Sequence, residues 1–232
     1  MANLKKYSDM KDIGHLCKHY ERSVAPGHYS NQDIDCNKLD LDRESNLAPE
    51  RRKQTDYIKE ILQKVCNGKT IRKDAVRMCC WVIDFPKTLD SSKKDIFFRA
   101  AYDFLIDRYG SKSGLGEDVC ISSYVHHSES TAHMHFAFIP ILQDQSGKKR
   151  LCAKELVGRD DLRTFHDDLA KRMEKEHICQ RSDILNGATK RDSNGRALSV
   201  KELKRNRERE RNRTINRWNT PDTTYERERS RW

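Results

Sequence analysis

The sequence predicts a mixed α/β (α+β) domain followed by a charged C-terminal extension. Three observations carry this reading. Segments with helical spacing of apolar residues alternate with short apolar runs of strand length over residues 48–177. Two of the strand-like runs are separated by only six residues, His127 to Ala132, which suits an antiparallel hairpin. After Asn186 the composition changes, and residues 196–232 hold twelve Lys or Arg against six acidic residues.

Taken in order, the first fifty residues are polar, poorly periodic and rich in His, Asn and Asp, and read as a functional loop region. From about Ala48 to Asn67 the spacing predicts a helix: Tyr57, Ile58, Ile61, Leu62 and Val65 share one face, and Gly68 supplies a stop. Ala75 to Asp84, with Val76, Trp81, Val82 and Ile83, reads as a buried strand ended by Pro86. A second helix, Ser92 to Tyr109, has Ser92 and Asp95 as a capping pair and Gly110 as its end. Its expected core face is Ile96, Phe97, Ala100, Ala101, Phe104 and Leu105. A glycine-bearing loop, Ser111 to Glu117, leads into strands at Val119 to His126 and His133 to Ile141. A third helix, Arg159 to His177, is expected to bury Leu162, Phe165, Leu169 and Met173. Ser199 with Glu202 forms a capping box, so a charged helix reaching about Trp218 fits the extension.

Lys plus Arg outnumber Asp plus Glu by 46 to 36, a net charge of +10 that favours a polyanionic partner, nucleic acid or an acidic membrane. No apolar run approaches the roughly 20 residues that span a bilayer. Met1 to Lys11 has no apolar signal core, so a cytoplasmic location is expected. Residues 199–218 lack the apolar stripe of a membrane-surface helix. The eight cysteines have no C-x-x-C pair and no zinc-finger spacing, and read as reduced, mostly buried thiols.

The most informative segment runs from Ser123 to Pro140. His133 and His135 are two apart on an expected strand, so both point to one face, while Met134, Phe136 and Phe138 point to the other. His126 ends the preceding strand, and pairing of the two strands brings it beside them. Three converging imidazoles suit a divalent metal. Neutral ligands leave the metal its full charge and open positions for a phosphate oxygen, whose phosphorus it would polarise. Ordinary polar residues on a half-exposed strand are the bland alternative, which three convergent histidines disfavour.

H-x-x-E-S-T-x-H-x-H over 126–135, followed by an apolar strand and Pro140, resembles the metal-binding signature of the Mob/Pre-type (MobV) plasmid mobilisation relaxases of the HUH endonuclease superfamily. Three further stretches resemble the family in the same order. They are Lys18-His19-Tyr20-Glu21-Arg22, His28 with Ser30-Asn31-Gln32-Asp33-Ile34, and Ile71-Arg72-Lys73-Asp74-Ala75-Val76. The resemblance implies an HUH relaxase-like fold, an antiparallel sheet with helices packed on it, with residues 1–195 as the catalytic domain and 196–232 as a basic helical or disordered extension. It implies His126, His133 and His135 as ligands of a divalent metal, manganese preferred or magnesium. It implies His19 as a nucleophile that attacks the scissile phosphate and leaves a covalent 5′-phosphoryl adduct and a free 3′-hydroxyl. Glu129 matches a family acid near the metal, which orients or deprotonates His19 or supports the ligands. Tyr20 stands where the family often has asparagine, and as the residue type used by most HUH enzymes it is the alternative nucleophile. Ala132 replaces the family's proline, and His127-Ser128 its usual Leu-Asp. Arg22, Arg72 and Lys73 are expected on DNA phosphates. The implied partner is origin-of-transfer DNA, single-stranded or supercoiled, with a homodimer and the coupling protein of a conjugation system as further partners.

The implied activity is site- and strand-specific nicking and strand transfer at a plasmid origin, for mobilisation and recombination. A rolling-circle replication initiator would use the same chemistry. A non-catalytic DNA-binding regulator would fit the charge but needs neither the triad nor His19.

Overall fold

Alternation of side chains along each strand sorts the sequence between two helical layers. The computed structural model describes residues 2–23, 34–50, 53–185, 202, 205, 206, 208, 209, 212 and 213. Its first unit, Met1–Gly187, holds a four-stranded antiparallel sheet in the order β1-β2-β4-β3. The strands are β1 (Ala2–Tyr7), β2 (Met78–Asp84), β3 (Cys120–His126) and β4 (His133–Phe138). The longer helices are α1 (Met10–Tyr20), α3 (Gln54–Cys66), α4 (Lys94–Leu105) and α7 (Arg159–Lys175). The short ones are α2 (Leu39–Glu44), α5 (Ser111–Ser113), α6 (Ala153–Leu156) and α8 (Arg181–Leu185). A hairpin of β5 (Ile141–Gln143) and β6 (Lys149–Leu151) stands apart from the main sheet.

Trp81, Ile83, Met134, Phe136 and Phe138 enter one core with Phe97, Ala101 and Leu105 of α4 and Phe165 and Leu169 of α7. Trp81 stacks on Phe165 with ring centroids 3.6 Å apart, and its indole N–H donates to the Tyr109 hydroxyl at 2.9 Å. That hydroxyl donates in turn to Asp161 at 2.8 Å. On the opposite face Met78, Cys80 and Ala137 pack with Ile13, Cys17 and Tyr20 of α1 and Ile58 and Leu62 of α3. The histidine signature opens on this second face. Its far end is covered by helices, while the end at Asp84, His133 and His126 receives the C-terminus of α1.

The hairpin expectation holds, with His126 opposite His133 in the β3–β4 register. Several other expectations need correction. The first fifty residues are not all loop, because β1 and α1 lie within them. Ile13, Leu16, Cys17 and Tyr20 recur at i, i+3, i+4 and i+7, and Asp9 caps the helix by accepting from the N–H groups of Lys11 and Asp12. The helix read from Ala48 starts at Gln54, and the strand read from Ala75 starts at Met78. Ser92 is not the cap of α4's first turns: the Asp90 carboxylate accepts from Ser92 N–H in a preceding 3₁₀ turn. Gly110 does not end that helix. The chain continues through a π turn, Ile106–Gly110, into α5 and stops at Gly114, whose φ of +61° suits glycine. Gly110 instead permits a close approach, since a Cβ there would stand 2.5 Å from the Gly116 carbonyl oxygen.

Ile96 and Leu162, expected in the core, are 56% and 39% exposed. Each stands on the outer edge of its helix's apolar stripe, whose centre is already filled by Phe97 and Ala101, or by Phe165 and Leu169. The strand read to Ile141 breaks at Ile139-Pro140, and Ile141 begins β5. Four of the eight cysteines, Cys17, Cys79, Cys80 and Cys120, are buried, and all eight are free thiols. Of the second unit, Ala188–Trp232, the described residues 202, 205, 206, 208, 209, 212 and 213 are helical. Among the described residues no helix is long and apolar enough to cross a membrane.

Candidate metal centre and nucleophile

The hairpin geometry builds the site first. His135 and His133 lie on the same face of β4, and His126 faces them from the end of β3. Ring centroids are 4.6 Å apart for His126 and His135, 4.8 Å for His133 and His135, and 5.3 Å for His126 and His133. The second-face ends of β3 and β4 thus hold three imidazoles in mutual contact.

Hydrogen bonds then fix which nitrogen faces the cluster. His126 Nε2 donates to the Tyr20 carbonyl at 3.0 Å, so its Nδ1 carries the lone pair. That buried Nδ1 has no hydrogen-bond partner. It stands 3.8 Å from Glu129 Oε1. His133 Nδ1 donates to the Thr131 carbonyl at 2.9 Å, which leaves the Nε2 lone pair 3.0 Å from His135 Nε2 and 4.0 Å from Glu129 Oε1. Carbonyl-anchored imidazoles are the usual means of orienting histidine ligands. Two overlapping groups can each hold a cation, with ligand atoms within 4.8 Å of one another: His19, His126 and His135, and His126, Glu129 and His133. A donor set of imidazole nitrogens with one carboxylate oxygen fits a divalent first-row metal ion. Buried, partnerless imidazole nitrogens fit the same conclusion, because such atoms are costly unless something binds them.

Electrostatics keep these rings neutral. Burial and the nearby Arg22 cation push His126 down to about 2, and the same causes push His19 down to about 4. Burial drives His135 well below its ordinary range, with the neighbouring histidines adding to it. Burial works against the Glu129 carboxylate, yet the Arg22 hydrogen bond and His133 hold it below its usual value. All four groups therefore offer lone pairs at neutral pH.

His19 enters from the last turn of α1. Its ring lies edge-on to His126 and His135, each centroid 5.2 Å away. Tyr20, its neighbour, points about 100° further round the helix. It is 1% exposed, its ring stacks on His135 at 4.7 Å, and its hydroxyl lies within hydrogen-bond reach of Cys80 and Tyr7 beneath the helix. Burial pushes that phenol far above its ordinary pKa. Its oxygen is in the core and held protonated, which disfavours Tyr20 as the nucleophile.

Arg22 also departs from expectation. It is fully buried, and its guanidinium donates to Asp42 at 3.0 Å, Ser128 at 3.1 Å and Glu129 at 2.8 Å. A guanidinium so enclosed meets protein carboxylates rather than DNA phosphates. Arg72 and Lys73 are exposed on the loop before β2, and Arg72 faces Asp74 at 3.5 Å. That loop joins the Met78 end of β2, four residues or roughly 13 Å from the Val82 that pairs with His135. His28 lies outside the described residues. Asp42 and Ser128, which organise Arg22 and Glu129, carry no local sequence signal. Asp42 is separated from its partners by 20 to 86 residues, so only the fold reveals it.

The model of the plasmid recombination enzyme family matches residues 1–193 of the sequence. The chain belongs to that family. Two curated plasmid recombination enzymes are similar to it. The one from Streptococcus agalactiae is 31% identical over 83% of this chain and 38% of its own length. The one from Lactiplantibacillus plantarum is 27% identical over 78% of this chain and 46% of its own length. The chain thus spans less than half the length of the curated relatives it matches. Among solved structures it is similar to the MobM relaxase domain (MOBV) bound to plasmid pMV158 oriT DNA in a manganese-bound crystal structure. The TM-score is 0.68 at 27% identity, over 88% of this chain and 97% of that one. A second manganese-bound crystal structure of that domain with oriT DNA gives 0.66 at 26% identity. The antiparallel sheet with helices on it is therefore a relaxase fold.

Proposed function

We propose that this chain is a relaxase that nicks one strand of DNA at a plasmid origin of transfer and remains joined to it, with residues 1–195 as its catalytic domain. The observation that carries the reading is the meeting of His19 with His126, His133, His135 and Glu129 at one end of the sheet. The relaxase fold and the DNA held by MobM support it. A divalent cation held by His126, His133 and His135 with Glu129 beside them would supply Lewis-acid polarisation of the scissile phosphate. Manganese is favoured over magnesium, which prefers oxygen ligands, by the imidazole donors and by the ion in the MobM structures.

The chain's own residues account for the rest. His19, kept neutral by burial and by Arg22, presents an imidazole lone pair to phosphorus. As the N–P bond forms, the P–O3′ bond breaks and its electron pair leaves on the 3′ oxygen, which takes a proton to give the free 3′-hydroxyl. The imidazole loses its second N–H proton towards Glu129, whose charge acts on His19. The 5′-phosphoryl link keeps the strand rejoinable, because a 3′-hydroxyl can reverse the displacement. Arg72 and Lys73 serve DNA backbone away from the reacting phosphate, and the basic residues of 196–232 add non-specific attraction.

The test is incubation of single-stranded and supercoiled DNA carrying the cognate origin with protein, with and without manganese. A nicked product joined to protein, lost without the metal and in His135→Ala, is expected. Tight, specific binding with no cleavage would leave a DNA-binding regulator instead.

A further inference from the structure

We propose that Asp42, on α2, is a positioning residue for strand cleavage: one buried carboxylate sets the spacing between the segment that carries His19 and the β3–β4 hairpin that carries His126 and Glu129. The inference rests on the relaxase reading above. Asp42 and Arg22 are both fully buried. Asp42 Oδ2 accepts from Arg22 Nε at 3.0 Å and from the Ser128 hydroxyl at 2.5 Å, and Oδ1 accepts from the N–H groups of His127 at 2.5 Å and Ser128 at 3.1 Å. Every acceptor position of the carboxylate is thereby filled by a segment of the site. Arg22 follows His19 by three residues, His127 follows His126 directly, and the same guanidinium donates to Glu129.

The anchor itself is fixed to the sheet. The Ser45 hydroxyl lies 2.8 Å from the Asp42 carbonyl and 2.5 Å from the Val125 carbonyl, and Val125 N–H donates to the Ser45 carbonyl at 3.3 Å. Arg22 adopts a left-handed φ of +50°, which a side-chain-bearing residue keeps only where its surroundings hold it. Replacing a buried ion pair by apolar residues of equal volume often costs no net stability, so stability alone does not account for this one. Its bonds to His127 and Ser128 and, through Arg22, to Glu129 point to geometry as what it provides.

The experiment compares the wild type, Asp42→Asn and the double variant Arg22→Met/Asp42→Leu by thermal melting, manganese titration followed by electron paramagnetic resonance, and origin nicking. The amide of Asp42→Asn has a single acceptor oxygen and cannot serve all four donors, so this variant should bind manganese about 10- to 100-fold more weakly. Its kcat at saturating metal should fall at least tenfold while KM for DNA stays constant. The double variant removes the Arg22–Asp42 charges together but leaves the N–H groups of His127 and Ser128 without that acceptor, so it should recover melting only in part and neither manganese affinity nor kcat. It also decides the matter if Asp42→Asn fails to fold. Asp42→Asn within twofold of wild type in both readouts, or a double variant that recovers both, overturns the proposal. A wild type that binds no manganese and leaves DNA intact overturns the relaxase reading and the clamp with it. Active wild type beside equally active Asp42→Asn overturns the clamp alone.

Discussion

Metal-free protein should lose stability steeply on mild acidification, with the histidine cluster contributing most and His127 and His166, which burial also lowers, adding to it. His126 and His19 are pushed down to about 2 and about 4, and His135 lies well below its ordinary range. In the unfolded chain each titrates near 6.5. Their folded pKa values are lowered, so the unfolded state binds more protons between those limits. The stability they allow is full above about pH 6.5 and falls as the pH drops below it. At pH 5.5 each unfolded imidazole holds about 0.9 proton while the folded ones hold almost none. Three groups then give a slope of about 3.7 kcal/mol per pH unit, at about 1.36 kcal/mol per proton. Glu129 is held below its ordinary value and so lies below this window. Urea unfolding in chelator at pH 7.5, 6.5, 6.0 and 5.5 measures the slope. His126→Gln keeps a donor for the Tyr20 carbonyl and should lower the slope by about 1.2 kcal/mol per pH unit. An unchanged slope in His126→Gln would refute the assignment of these rings as buried and neutral. Saturating manganese should raise stability at pH 7.5 by roughly RT ln(1 + [L]/Kd).

Tyr20→Phe should retain DNA–protein adduct formation and lose only about 1 kcal/mol of stability, read by adduct gels and melting, because its hydroxyl serves the core. Gly110→Ala should destabilise by about 1–3 kcal/mol in urea titrations, since its Cβ meets the Gly116 backbone oxygen rather than a movable side chain. On α7, Leu169→Ala should cost about 2–5 kcal/mol and Leu162→Lys less than about 0.5 kcal/mol, as only the former is in the core.

Much of this architecture was legible wherever the period of the apolar residues is clean. Met134, Phe136 and Phe138 against His133 and His135 gave the faces of β4 and, with the short loop to His126, the convergence of the imidazoles. α1 carries an equally good spacing in Ile13, Leu16, Cys17 and Tyr20, but charged residues between them and its position in a polar stretch hid it. The edges of helical stripes misled, because Ile96 and Leu162 have the right spacing yet no facing partner. Arg22 could not be placed from sequence, since a motif arginine reads alike whether it meets a phosphate or a buried carboxylate. The deciding partner, Asp42, is brought in by tertiary folding alone. Likewise the choice between His19 and Tyr20 depends on which way α1 is rotated, and that rotation is set by packing against Cys80 and His135.

The central claim is that the His19 imidazole forms the bond to DNA. The most direct measurement is isolation of the manganese-dependent adduct, digestion, and mass spectrometric location of the phosphonucleotide, with its acid stability compared before and after treatment. The account predicts a modified peptide carrying the label on His19, through an acid-labile N–P bond. An acid-stable phosphoester on Tyr20, or adduct formation undiminished in His19→Ala, would contradict it.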